Sequence, residues 1–596
     1  MQVNRKAALI NFIISLAPVA ILAVIFGVFF DYYYELNDDV LMKDILSGMY
    51  DGIPNGHNIQ MLWPLSAFVA LLYRLCNCGC WYGLMLLLFQ YGSLIIINYN
   101  LTKRIDSIVK KIMTAVSVTI LLASYMIFHM TIIQYTVTVS MMAGAAISIL
   151  ATTDEDKSPR EFLKSNIPTI VILVLGFMLR SEMMLLMMPF VCAAAVFKWS
   201  FNKKLFDKTT VLGYLCTFFV IAGFFMISLS ADKLAYSSEE WSKFVDLFNA
   251  RTELYDYQVP PAYEGNEKFY DELGFTQEEA VLFENYNYGI DTKVDNDIMW
   301  QVADYAGNVN ESSRSTTAKL SEKLKIYVYE FTHIWNTPGS DYPWNIAVIG
   351  LYILCAIIII LNKDYFGIWR LIALFAGRSA IWLYMLMGER TPARITDSLY
   401  FIETIALIFL FTMCLESTKT KESTTENNKV PVKIAKQKAG IMIFSELAAL
   451  ILGIVYLCQA VPNLKYEQAL KEEANGPYLE FYEYARNNPD NFYLMDTYSS
   501  VAYSEKMFDK AATVDKSNSN TLGGWAALSP IEDSKLAAYG IKNMADGLLQ
   551  DNVYFVKKQD IDSSWLPEFY KAMGTSVELI KEDTVSSFEI YSVTIK

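Results

Sequence analysis

The chain has 596 residues, 54% of them hydrophobic and 14% aromatic, and a mean hydropathy of +0.26; this exceeds ordinary soluble usage and makes the chain a polytopic membrane protein with the lipid bilayer as a partner. A net charge of -14 argues against nucleic acid as a partner, because phosphate binding needs a basic surface. The polar regions 232–343 and 462–596 contain no cysteine, so they must hold their folds by core packing alone, and the pattern points to a bacterial protein.

In chain order, the first apolar run, 7–30, is a span rather than a cleaved signal peptide: it is too long, and Phe29-Phe30-Asp31-Tyr32 lacks the small residues a cleavage site needs. It opens directly into residues 31–60, rich in acids and tyrosines, with Asp38 and Asp39 adjacent and His57 in a turn after Pro54-Asn55-Gly56. Residues 61–75 leave only about 13 apolar positions between Gln60 and Arg74, too few to span, and are expected to form an amphipathic interfacial helix. Further spans are expected at 81–99, 112–130, 132–151, 166–180, 183–198, 211–230, 344–362, 367–387, 398–415 and 441–460, eleven in all with the first.

With that count the basic loops fall on one side. They carry Arg5 and Lys6, then Lys103, Arg104, Lys110 and Lys111, then Lys157, Arg160 and Lys164, then Lys198, Lys203, Lys204 and Lys208, then Lys363, and finally the linker 416–440 with Lys433, Lys436 and Lys438. By the positive-inside rule that side is the cytosol, with the N-terminus cytoplasmic and the C-terminus extracytoplasmic in a bacterial plasma membrane. Residues 31–60, 232–343, 388–397 and 462–596 then share the outer face, as do His57, His129 and His333.

The loop 232–343 reads as mostly helical, with capping boxes at Ser237-Ser238-Glu239-Glu240 and Thr276-Gln277-Glu278-Glu279. Its segment 241–257 places Phe244, Phe248 and Arg251 at helical spacing, as a helix on the membrane surface or packed on its neighbours would. The chain divides into a membrane domain, 1–461, and an outer domain, 462–596. In the latter a helix over 466–487 and strands at 491–496, 552–558 and 587–595 predict a small α/β domain without a phosphate-binding glycine motif.

Adjacent carboxylates near a membrane repel, raising one pKa unless a cation compensates. Asp38 and Asp39 could therefore supply a general base or ligate a divalent cation, Mg or Mn; capping of a helix starting near Val40 is the structural alternative. Arg180 and Glu182 interrupt an apolar stretch, serving either a polar cavity or a tight turn paired on itself. Arg390 and Arg394, in the 388–397 hairpin, suit a lipid phosphate or interfacial snorkelling. His57, Glu182, Gln134, Tyr135 and Arg251 are candidate pocket residues, whereas Cys76-Asn77-Cys78-Gly79-Cys80 lacks a second ligand cluster for zinc.

The first span with its outer Asp38-Asp39, the His57 and Trp63-Pro64-Leu65 turn with its short helix, and the basic loop after the next span together resemble the GT-C membrane glycosyltransferases, including protein O-mannosyltransferases and aminoarabinose transferases. The resemblance covers the layout of roughly 1–415, with motif support in the first hundred residues. It implies a GT-C-like fold and inverting transfer from an undecaprenyl-phosphate-linked sugar to a cell-envelope acceptor. Asp38 or Asp39 would be base or metal ligand, and Arg390, Arg394 and Arg180 would hold the donor phosphate. The W-W-D motif of oligosaccharyltransferases is missing. A lipid-linked-glycan flippase or a non-catalytic surface protein is the rival reading; the flippase predicts paired half-helices, internal repeats and charges near mid-membrane, whereas the charges here cluster at the outer loop boundary.

Overall fold

The computed structural model describes residues 5–35, 37–77, 80–155, 157–202, 206–311, 316–422, 432–509 and 515–596; Cys78, Gly79, Lys203, Lys204 and residues 423–431 of the basic linker lie outside them. Among the described residues ten helices are long and apolar enough to cross a membrane, and an eleventh span is made if the pair Pro159–Ser165 and Ile167–Leu179, bent by 52°, counts as one. The protein is a polytopic helical membrane protein with a small mixed sheet near its C-terminus. The expected helix over 112–130 ends earlier, at Tyr125, because the chain turns there into a short helix, Ile127–Thr131, and an extended pair, Ile132–Ile133. Trp63–Leu75 is a short helix as expected. Leu65, Val69 and Tyr73 pack inward, while Phe68, Leu71 and Leu75 stay exposed.

The helix Tyr135–Thr152 lies at the centre of the bundle and is almost wholly buried. Its sequence explains why: Ser140, Ala143, Gly144, Ala145, Ala146 and Ser148 are small, so neighbouring backbones approach closely, as helices in lipid do to gain packing. A Cβ at Gly144 would lie 2.8 Å from the Phe401 ring on the helix Ala393–Glu422. Polar side chains join the helices: Gln90 donates to Thr138 (3.0 Å), Asn98 to Thr119 (2.7 Å) and Asn100 to Ser148 (3.0 Å).

Two polar modules cover one end of the bundle. The first packs the helices Glu239–Thr252, Glu267–Leu273, Gln277–Glu284 and Asn296–Glu311 around Leu254, Tyr270, Phe283 and Met299. Phe244 is in that core, so the 241–257 segment packs on its neighbours. Thr276 and Glu279 form the expected reciprocal capping box, whereas Ser238 alone caps its helix through the Trp241 amide.

The second module has five strands in the order β4-β3-β5-β7-β6: β3 (Phe492–Met495), β4 (Ser519–Thr521), β5 (Val553–Lys558), β6 (Val577–Val585) and β7 (Phe588–Ile595). β3 pairs in parallel with β4 and β5, and β7 runs antiparallel to β5 and β6. The three strands expected from sequence are present. β6 escapes the pattern because it is an exposed edge carrying Glu578, Lys581, Glu582 and Asp583, charges that blunt edge pairing and erase alternation. The helix of the last span crosses position 461 without a break and runs as Val432–Asn487 into this module.

The modules are tied to the first loop through backbone. The extended pair β1 (Tyr33–Tyr34) lies parallel to β2 (Ile132–Ile133). On its other side the Tyr34 amide donates to Glu505 O (3.1 Å) and the Met507 amide to Tyr32 O (2.8 Å). The first loop, the 232–343 module and the C-terminal module therefore occupy the same end. The opposite end gathers basic residues: Arg104 pairs with Glu416 (2.6 Å), and Arg370 donates to Ser200 (2.7 Å).

Candidate functional site

The helix after the first span runs Asn37–Ser47, so Asp38 and Asp39 both lie in its first turn. Consecutive helical residues point about 100° apart, and the two carboxylates diverge accordingly. Asp39 is fully buried; its Oδ1 accepts from the Tyr82 hydroxyl (2.7 Å) and the Tyr135 amide (3.3 Å), while Oδ2 has no partner. Asp38 is only half-buried and accepts no hydrogen bond among the described residues. Burial pushes its carboxyl above the ordinary range, opposed by three guanidiniums, Arg251, Arg394 and Arg180. Burial also pushes Asp39 well up, reinforced by the neighbouring Asp38 and Glu35 and opposed by the hydrogen bonds from Tyr82 and the Tyr135 amide.

The arginines come from three separate parts of the chain. Arg180 sits at the break between Ile167–Leu179 and Ser181–Ser200, where it donates to Gln60 Oε1 (2.5 Å), pairs with Glu182 (3.1 Å) and lies over the Tyr135 ring (5.5 Å). The internal pair of the tight-turn reading forms, and the Arg180 charge also acts on the Asp38 carboxyl. Arg251 approaches Asp256 (4.0 Å), and its Nε has no partner. Arg390 is engaged by the same Asp256 (3.2 Å). The Arg394 side chain, half-buried, donates no hydrogen bond among the described residues, and its charge opposes the rise of the Asp38 and Glu35 carboxyls.

Asp38 and Arg251 also line a cavity of about 310 Å³, closed on the far side by the C-terminal module through Thr497, Asn520, Trp525, Glu532 and Lys535. That is near the lower bound for small-ligand clefts, about 300 Å³. The wall depends on close backbone approach at Gly523: a Cβ there would overlap the Tyr286 carbonyl oxygen, and next to it the Gly289 amide donates to Leu522 O (2.9 Å).

Other expected pocket residues serve different ends. His57 is stacked on Trp241 (4.5 Å) and edge-on to Tyr236 (5.2 Å), with its Nδ1 near Asn55 Oδ1 (3.0 Å); it clamps the turn to the 232–343 module and does not line the cavity. Gln134 is buried with an unpartnered Oε1, and Glu182 is 71% exposed. Tyr135 contributes its amide to Asp39 and its hydroxyl to Gln60 (3.3 Å).

A shared cation between Asp38 and Asp39 does not fit this arrangement. Asp39 Oδ1 is taken by Tyr82 and the Tyr135 amide, which leaves a single buried oxygen, the charges acting most on Asp38 are guanidiniums, and among the described residues no three His, Cys, Asp or Glu side chains stand together as ligands.

Sequence reasoning missed a buried charge cluster joining the first loop to the C-terminal module. Lys43 Nζ lies 2.6 Å from Asp44 Oδ1 and 2.7 Å from Glu505 Oε2, while Lys516 Nζ lies 2.6 Å from Asp44 Oδ2 and 4.0 Å from Glu505. Burial raises both acids; two ammoniums at contact bring Asp44 net below its ordinary range, and Glu505, with one, stays above it. The only forewarning was a lysine beside an aspartate on one helix.

The expectation that charges cluster at the loop boundary also needs correcting. Arg378 and Glu403, in two spans, form a fully buried pair at 2.8 Å. Arg378 donates to the Tyr327 and Tyr400 hydroxyls, and Glu403 accepts from Tyr352, so the pair is satisfied internally rather than aimed into a pathway.

Compared with models of known protein families, with curated proteins and with solved structures, the chain finds no match.

Proposed function

We propose that this protein is an inverting membrane glycosyltransferase of the GT-C kind, moving a sugar from a polyprenyl-phosphate carrier to a cell-surface acceptor at the outer face of a bacterial plasma membrane. The observation that carries the reading is a half-buried carboxylate, Asp38, lining a cavity together with Arg251, with the charges of Arg394 and Arg180 also acting on that carboxyl. The collection of basic loops at the opposite end supports an outward-facing site.

In this reading Asp38 takes the proton of an acceptor hydroxyl as its oxygen attacks the anomeric carbon from the face opposite the phosphate. The bond from that carbon to the phosphate oxygen breaks, and the electron pair leaves with the polyprenyl phosphate. Negative charge grows on the departing phosphate, and guanidiniums fixed beforehand stabilise it most in the transition state. Arg394, with no hydrogen-bond partner among the described residues, suits bidentate binding of that phosphate; Arg180, held by Gln60 and Glu182, adds fixed positive field. The raised Asp38 pKa makes it a stronger base than an ordinary aspartate. No step needs a metal.

The test is transfer from an undecaprenyl-phosphate sugar by the protein reconstituted in liposomes. Asp38→Asn should lower turnover by about 10²–10⁴-fold without loss of folded protein, as removal of a general base does. Asp39→Asn should keep turnover within a few-fold. Full activity of Asp38→Asn defeats the base assignment, and movement of a labelled carrier lipid without any sugar transfer establishes the flippase instead.

A further inference from the structure

The C-terminal wall of the cavity contains one charge that the fold leaves unused. Lys535, on the helix Pro530–Ala538, is only 2% exposed, yet its ammonium makes no hydrogen bond or ion pair among the described residues and rests 3.8 Å over the Tyr50 ring. Three acids, Glu532, Asp44 and Asp51, lie near enough to favour its charge, but none is in contact with it. Asp44 is taken by Lys43 and Lys516. Glu532, one turn before Lys535, accepts from the Asn520 amide (2.6 Å) and the Leu528 backbone amide (2.6 Å), and Asn520 in turn accepts from the Tyr50 hydroxyl (3.1 Å).

Burying an ammonium without a counter-charge is costly. The cost is visible in Lys535 itself, whose pKa burial pulls down to about 7. A fold that keeps such a group beside an open cavity gains most when an anion enters. The rest of the lining suits a sugar as carrier of the anion: Trp525 and Tyr50 add aromatic surface to the wall, and the Thr497 and Thr521 hydroxyls, which donate to the Tyr286 and Gly523 carbonyls, keep lone pairs to accept from a sugar hydroxyl.

We propose that this wall is a recognition subsite for an anionic saccharide, whose carboxylate or phosphate pairs with Lys535. It deepens the reading above, resting on it only in calling that saccharide the acceptor, with a hydroxyl turned towards Asp38 at the other side of the same cavity.

The experiment is calorimetric titration of the full-length protein in nanodiscs, with no donor present, using glucuronate, glucose 6-phosphate, glucose and inorganic phosphate. At least one of the two anionic sugars should bind about tenfold or more tightly than glucose, about 1.4 kcal/mol, and which one does so distinguishes carboxylate from phosphate. Lys535→Met, similar in shape and uncharged, should bring that sugar within about twofold of glucose, and Lys535→Arg should restore part of the preference. Three results overturn the subsite: equal binding of glucose and both anionic sugars by the unmodified protein, an undiminished preference in folded Lys535→Met, or inorganic phosphate binding as tightly as the preferred sugar. Because binding is read without donor, none of these bears on the role of Asp38, which stands or falls on transfer.

Discussion

Replacing Lys43 by Met tests what holds the C-terminal module over the first loop. The unmodified cluster has two ammoniums and two carboxylates, all nearly excluded from solvent. Without Lys43, Asp44 keeps Lys516 at 2.6 Å, but the nearest cation to Glu505 is Lys516 at 4.0 Å. At an effective dielectric of about 20, a unit pair attracts by about 6 kcal/mol at the lost 2.7 Å contact and about 4 kcal/mol at the remaining 4.0 Å. The substitution also relieves the desolvation of Lys43, and the net loss expected for a broken buried pair is about 3–5 kcal/mol. Unfolding in mixed micelles followed by tryptophan fluorescence, together with protease sensitivity of the C-terminal module, reads it. Burial already holds Glu505 above its ordinary range, and losing Lys43 raises it further. The native variant then binds a proton that the unfolded chain has released, so its deficit is largest at alkaline pH and shrinks as pH falls and Glu505 is neutralised. The double variant Lys43→Met/Glu505→Gln restores one ammonium per carboxylate and should recover most of the loss. A loss below about 1 kcal/mol, or no recovery in the double variant, refutes the view that these charges clamp the module.

Two more predictions bear on the site. Arg394→Gln should slow transfer by about 10²–10³-fold, as loss of a transition-state donor does. Because Arg394 stabilises the Asp38 carboxylate, its removal raises that pKa, and the acid limb of the pH–rate profile should move to higher pH; an unmoved limb dissociates the two residues. Gly523→Ala forces a methyl against the Tyr286 carbonyl and should cost about 1–3 kcal/mol by overpacking, seen as faster proteolysis between the two polar modules; unchanged protection would mean that contact is dispensable.

The sequence by itself determined the class and layout of this protein. Apolar runs of span length can satisfy their backbones in lipid only as helices, so the spans were legible one by one, and alternating apolar residues marked β3, β5 and β7. The acids at 38 and 39 stood out as adjacent carboxylates beside a membrane, Arg180 because a charge inside an apolar stretch is expensive without a use, and Arg390 and Arg394 as guanidiniums in one short hairpin. Which of the aspartates stays accessible was decided by the tertiary structure: the helix begins at Asn37, and its rotation turns Asp39 onto Tyr82 while leaving Asp38 open. Equally invisible were the pairing of Lys43 with Glu505, the neutralisation of Arg390 by Asp256, and the isolation of Lys535 over Tyr50. Each depends on residues up to several hundred positions apart, and local periodicity records what a segment buries, but not which distant charge meets it there.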